Sequence, residues 1–112
     1  MSQKLPAYQR IREEQSFRNF LRNARPVKLG FFLYFLENEY PYHRFAISVN
    51  RKVGNAVERN YIKRFMKECF RRNQHRFTRN VDVWVIIKQK FDKKNVDYIT
   101  KLFDKAILKI NK

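Results

Sequence analysis

The chain has 112 residues, enough for one domain with no room for a second. Lysine and arginine number 26 against 10 acidic residues, a net charge of +16, yet 44% of the residues are hydrophobic. Eleven Phe, six Tyr and one Trp exclude a disordered basic tail, whose signature is few aromatics, and the single cysteine excludes a disulfide framework or a cysteine metal site.

The longest apolar run, residues 31–36, is far short of the ~20 residues that span a bilayer. No charged-then-apolar signal segment opens the chain. The expectation is a soluble, cytoplasmic protein with no membrane partner, residues 1–112 forming one unit.

In chain order, residues 1–15 read as polar and irregular. Ser16 is predicted to cap a helix through about Ala24, because Phe17, Phe20, Leu21 and Ala24 follow i, i+3, i+4, i+7 spacing. Residues 31–36 read as a strand with two apolar faces. A turn at residues 37–41 predicts a hairpin into a second strand, 42–49, with Phe45, Ile47 and Val49 on its apolar face. The opposite face, Tyr42, Arg44, Ala46 and Ser48, is small and polar and suits the floor of a shallow groove.

Residues 55–75 carry the strongest helical pattern. Ile62, Phe65, Met66, Cys69 and Phe70 make the apolar stripe, which assigns Cys69 to the core. Arg59, Lys63, Lys67 and Arg71 run at i+4 intervals on a separate flank. Residues 81–88 read as a further strand, with Val81, Val83, Val85 and Ile87 on one face. Trp84, on the other face, is expected to pack beneath the first helix. A last helix from about Asn95 has the stripe Ile99, Leu102, Phe103, Ala106, Ile107 and Ile110. The order α-β-β-α-β-α predicts an α+β fold, an α/β sandwich of three helices on a small mixed sheet.

The charge is uneven. Residues 51–79 hold ten basic groups against Glu58 and Glu68, half of the net excess, whereas residues 26–50 are neutral. Twelve of the thirteen arginines fall in 1–25 or 51–79. Guanidinium forks bind phosphates bidentately and stack on bases, so these segments read as a polyanion footprint. The lysines of the last third read as a solvated surface.

The informative stretch runs from Arg44 to Arg64, RFAISVNRKVGNAVERNYIKR. A strand ends at Asn50, and a basic turn with Gly54 leads to Asn55 as a helix N-cap. Free amides and the helix dipole favour an anion there, beside Arg51 and Lys52. Arg59, Asn60, Lys63 and Arg64 continue the basic surface one turn later.

This stretch resembles the bacterial ribonuclease P protein component, whose signature joins a strand, a Lys-Lys-Val-Gly-Asn-Ala-Val loop and an Arg-Asn-Arg-Ile-Lys-Arg helix start. Residues 10–17, RIREEQSF, look like that family's basic lead-in and first helix, and residues 81–88, VDVWVIIK, like its last strand. The resemblance implies a left-handed crossover between parallel strands, against the ~98% right-handed rule. It implies a protein subunit of an RNA-based endoribonuclease, with no catalytic or metal-binding side chain of its own. The partners are then ribonuclease P RNA and precursor tRNA, one protein per RNA, with Mg²⁺ held through the RNA.

Carried over by position, Arg51, Lys52, Asn55, Arg59, Asn60, Lys63, Arg64 and Lys67 would contact the catalytic RNA. Phe17, Tyr34 and Lys88 would line a groove, between the first helix and the sheet, for the 5′ leader of precursor tRNA. Base stacking there is worth roughly 1–3 kcal/mol and tolerates unrelated sequences. Three positions depart from the pattern: Tyr61 replaces a usual arginine but keeps a flat face for stacking, Leu21 replaces a groove aromatic, and Ala46 replaces a glycine.

A ribosomal-type RNA-binding protein fits the length, charge and aromatic content equally well, but not the 44–64 motif. A protein nuclease using His43 and His75 lacks a third orienting group beside either imidazole. Asp82 and Asp92 read as turn or cap residues rather than metal ligands.

Overall fold

The computed structural model describes residues 5–24, 26–90 and 96–112. Helix α1 spans Glu14–Asn23, strand β1 Val27–Lys28, β2 Phe32–Glu37, β3 Arg44–Val49, helix α2 Ala56–Asn73, β4 Val81–Ile87 and α3 Val96–Ile110. Short 3-10 turns lie at Ala7–Gln9, Arg51–Val53 and Gln74–Arg76. The α-β-β-α-β-α order is as expected, with β1 added as a two-residue edge.

The four strands are ordered β1-β2-β4-β3. The predicted hairpin is therefore wrong. Strand β4 lies between β2, to which it is antiparallel, and β3, to which it is parallel. Burial explains why: Val81, Val83, Val85 and Ile87 are sealed under the helices, and a strand covered on both faces belongs at the centre of a sheet. Residues 38–43 then bridge over the end of β4, and the Asn38 amide donates to Asn80 O at 2.9 Å.

One face of the sheet carries the main core. Leu33, Phe45 and the β4 valines meet Ile62, Met66 and Phe70 of α2 and all six predicted stripe residues of α3. Phe45 stacks on Phe70 at 4.6 Å between ring centres. Cys69 is buried as expected, and desolvation pushes its thiol pKa up to about 11, which keeps it an unreactive apolar group. Tyr61 is half-buried, stacking on Phe65 and packing against this core.

The other face carries α1. Phe20 is buried with Ile11 and Ala46, and Phe17, Tyr34, Leu36 and Trp84 pack around them. The helix begins at Glu14, two residues before the predicted cap. Ser16 lies inside its first turn, bonded to Glu13 Oε2 at 3.3 Å. Leu21 points to solvent.

Two sequence expectations about polar residues are overturned. Arg44 was expected on an open polar face and Asp82 at a turn; they form a buried bidentate pair, 8% and 9% exposed. Nε reaches Asp82 Oδ1 at 2.9 Å and Nη2 reaches Oδ2 at 2.6 Å. Residues 44 and 82 stand directly opposite in the parallel register, so the sheet itself brings the charges together. The N-terminal segment is also more ordered than expected. Leu5 and Ile11 are buried, and the Ile11 amide donates to Phe45 O at 2.9 Å, adding a bridge to the β3 edge.

His43 is likewise structural. Its Nδ1 accepts from the Val81 amide at 3.3 Å, and its ring meets Phe77 edge-on. Burial holds the imidazole below its ordinary value of 6.5, and an acceptor nitrogen must be unprotonated. The folded state thus takes the proton less readily than the unfolded state. Its contribution to stability is complete above about pH 6.5 and declines as the pH falls through that value. Unfolding free energies at about pH 7.5 and about pH 5.5 should differ more for the native chain than for His43→Gln; equal differences would contradict this.

Candidate nucleic-acid interface

The first surface is built where β3 leaves the sheet. Val53 is buried and anchors the 3-10 turn, while the Asn50 side chain accepts from the Lys52 amide at 2.9 Å. These contacts leave Arg51 and Lys52 exposed at the rim. Asn55 then caps α2 in a reciprocal box: its side chain accepts from the Glu58 amide at 2.9 Å, and Glu58 Oε1 accepts from the Asn55 amide at 3.0 Å. A Cβ on Gly54 would come within 2.5 Å of that Glu58 oxygen and 3.1 Å of Glu58 Cβ, so glycine here protects the cap. Lys90 pairs with the same carboxylate and, with the Asn55 amide, holds its pKa below the usual range.

The eight predicted RNA-contact positions do converge on this loop and helix, with different freedom. Arg51, Lys52, Asn60 and Arg64 are exposed. Arg59 is half-buried and donates to Gly54 O at 2.7 Å, so part of its guanidinium fastens the loop. The Asn55 side chain is occupied by the cap. Lys63 and Lys67 are half-buried on a different flank, toward the N-terminal segment. Val57, one turn before Asn60 and Tyr61, is 76% exposed.

The second surface is the sheet face that α1 leaves open. Tyr34 and Trp84 stand opposite in the register and stack at 5.3 Å. Phe17 meets Trp84 edge-on at 4.9 Å, and Phe20 lies 5.7 Å from it. Trp84 therefore packs beneath the first helix, as expected, and its Nε1 donates to Ser48 Oγ at 3.0 Å. Two residues further along the same face, Phe32 pairs with Ile86. Lys88 sits just past the end of β4, its Nζ 4.7 Å over the Phe32 ring. Alternation puts Trp84, Ile86 and Lys88 in one row, about 13 Å long at ~3.3 Å per residue. Phe17, Tyr34 and Lys88 thus lie on one side of the sheet, and Phe32 joins them. Phe32 was missed because an unbroken apolar run does not declare which face stays open.

A cationic loop and helix beside an aromatic, cation-edged sheet face on an α+β scaffold define an RNA-binding module. Among the described residues there is no group of three or more His, Cys, Asp or Glu side chains placed to hold a metal ion, and no helix is long and apolar enough to cross a membrane.

Comparison with known proteins agrees. The family model for Ribonuclease P matches residues 5–111. The ribonuclease P protein component of Petrotoga mobilis is 37% identical over 93 residues, covering 80% of this chain and 79% of that protein. That of Dictyoglomus turgidum is 33% identical over 108 residues, covering 90% and 91%. Among solved structures, the Staphylococcus aureus RNase P protein superposes with a TM-score of 0.75 at 31% identity, covering 93% of this chain and 95% of that one. The Thermotoga maritima protein gives 0.74 at 25% identity, covering 90% and 96%. The chain belongs to the bacterial ribonuclease P protein component family.

Proposed function

We propose that the chain assists an RNA catalyst in the endonucleolytic removal of the 5′ leader from precursor tRNA, as the protein subunit of cytoplasmic ribonuclease P. The observation that carries this is the pairing of two surfaces on one rigid sheet: a loop–helix for the catalytic RNA and a groove for a single strand. Strand β3 joins them, since Ala46 and Ser48 belong to the groove face while its C-terminal end opens into the basic turn. Arg51, Lys52, Asn60 and Arg64 neutralise phosphates of the catalytic RNA, one protein to one RNA. Phe17, Tyr34 and Lys88 receive the leader. Mg²⁺ is held by the RNA, and the protein's cations help that RNA fold at low metal concentration. A ribosomal-type binding role would use the first surface and leave the groove without a purpose.

The groove assignment has its own test. Phe17→Leu or Tyr34→Leu keeps apolar bulk but removes a ring worth roughly 1–3 kcal/mol per stacked base. Binding of long-leader precursor tRNA should weaken about tenfold or more, while leaderless tRNA is unaffected. Equal weakening of both substrates would place the rings in the core only.

A further inference from the structure

A cavity of about 250 Å³ lies on the far side of β3 from the rest of the sheet, between the N-terminal segment and α2. Arg10 and Arg12 line it from one side and Lys63 and Lys67 from the other, over a floor that includes Ala46 and Ile47. Four cations facing one small space repel one another. Among the described residues no carboxylate lines the cavity. Lys67 registers the strain: burial first, then Arg10, Lys63 and Arg12, depress its pKa. Arg10 fastens the segment by donating to Leu5 O at 2.8 and 3.0 Å. The side chains of Arg12, Lys63 and Lys67 have no hydrogen-bond or ion-pair partner among the described residues.

The backbone adds a donor. The Asn50 amide bonds to Ile87 O in β4, and the Phe45 carbonyl turns outward to take the Ile11 amide. Alternation along the strand therefore directs the Ile47 amide outward, at the open edge where Ile47 lines the cavity. Cations that converge without an acid, beside an outward amide on an apolar floor, are complementary to a phosphate group. Phe17 lines this cavity and also meets Trp84 in the groove, so the two spaces adjoin.

We propose that this pocket binds one phosphate group, a backbone phosphate of RNA passing between the groove and the flank of α2. The inference rests on the RNA-binding reading but adds Arg10, Arg12 and the β3 edge to it. It also gives Lys63 and Lys67 a site distinct from the exposed loop cations. Occupation would fasten the N-terminal segment to α2 by neutralising the repulsion that now pushes them apart.

The test titrates inorganic phosphate into the full-length protein at low salt, read by calorimetry and by the thermal midpoint. Arg12→Gln with Lys67→Gln removes two of the four cations without touching the anchor at Arg10. Lys101→Gln with Lys105→Gln, on exposed positions of α3, removes the same charge elsewhere. Saturable binding should weaken at least tenfold in the first pair and stay unchanged in the second. Equal phosphate affinity in all three proteins overturns the pocket. In a second arm, the slope of log affinity against log salt for precursor tRNA bound with ribonuclease P RNA should shrink by about one unit in the first pair. Weakened phosphate binding with an unchanged slope overturns the RNA source and leaves a site for free phosphate. Native protein that gives no help to precursor-tRNA cleavage, while phosphate binding follows the variants, would sink the functional reading and leave the pocket standing.

Discussion

Asp82→Ala should destabilise the fold by about 3–5 kcal/mol, the cost of stranding a buried cation. Asp82 supplies both oxygens of the bidentate pair and also accepts from Asn38 Nδ2 at 2.7 Å. Without it Arg44 keeps weaker partners, Glu13 Oε2 at 3.4 Å, Ser16 Oγ at 3.5 Å and the face of Tyr40 at 4.5 Å. A guanidinium stays protonated in proteins with or without a carboxylate partner, so deprotonation offers no escape. Replacing both partners, with Arg44→Met and Asp82→Leu, should recover most of the loss, because an apolar pair of similar volume avoids the desolvation cost. Urea unfolding of the three proteins checks this. A loss below about 1 kcal/mol in Asp82→Ala would mean that Arg44 finds water, against the burial described. The pair also matters to the groove, since Glu13 precedes α1 and ties its start to β3.

Removing the charges of Arg51, Lys52 and Arg64 together should collapse RNA affinity. Each phosphate contact contributes roughly 0.7–0.9 to the salt slope, so the triple Gln variant should lose about two to three units. If the affinity extrapolated to 1 M salt is unchanged, that loss is on the order of a hundredfold or more at 0.1 M. Folding should be unaffected, because the three side chains are exposed and the turn is held by Val53, Asn50 and the Asn55–Glu58 box. A triple variant with the native slope would show that this surface does not meet phosphate.

Local patterns in the chain were sufficient for α2 and α3, though not for the start of α1. The α3 stripe is buried at every position expected, and α2 starts at the cap that Asn55 announced. Both follow from short-range spacing, which a sequence displays directly. Strand order was not legible, because the pairing of residues 44–49 with 81–87 is a contact between distant segments. That one error concealed two more. With β3 beside β4, Arg44 meets Asp82 and is buried, whereas a β2–β3 hairpin would leave it on a groove floor. The edge of β3 also becomes available to residues 10 and 11, so a segment read as irregular is docked.

The site divides in the same way. The 44–64 motif located the loop and helix, but which of its cations are free depends on hydrogen bonds that no spacing reveals, such as that from Arg59 to Gly54 O. The groove residues Phe17, Tyr34 and Lys88 were placed by family likeness and do share one face. Trp84, the sole tryptophan, was assigned to that face by alternation alone.

The most direct measurement adds the purified chain to a bacterial ribonuclease P RNA and follows cleavage of leader-bearing precursor tRNA at low Mg²⁺. Cleavage at the mature 5′ end should be restored by stoichiometric protein and should be lost in the Arg51, Lys52 and Arg64 triple variant. The same cleavage rate with and without the native protein would rule out a role for it in precursor-tRNA processing.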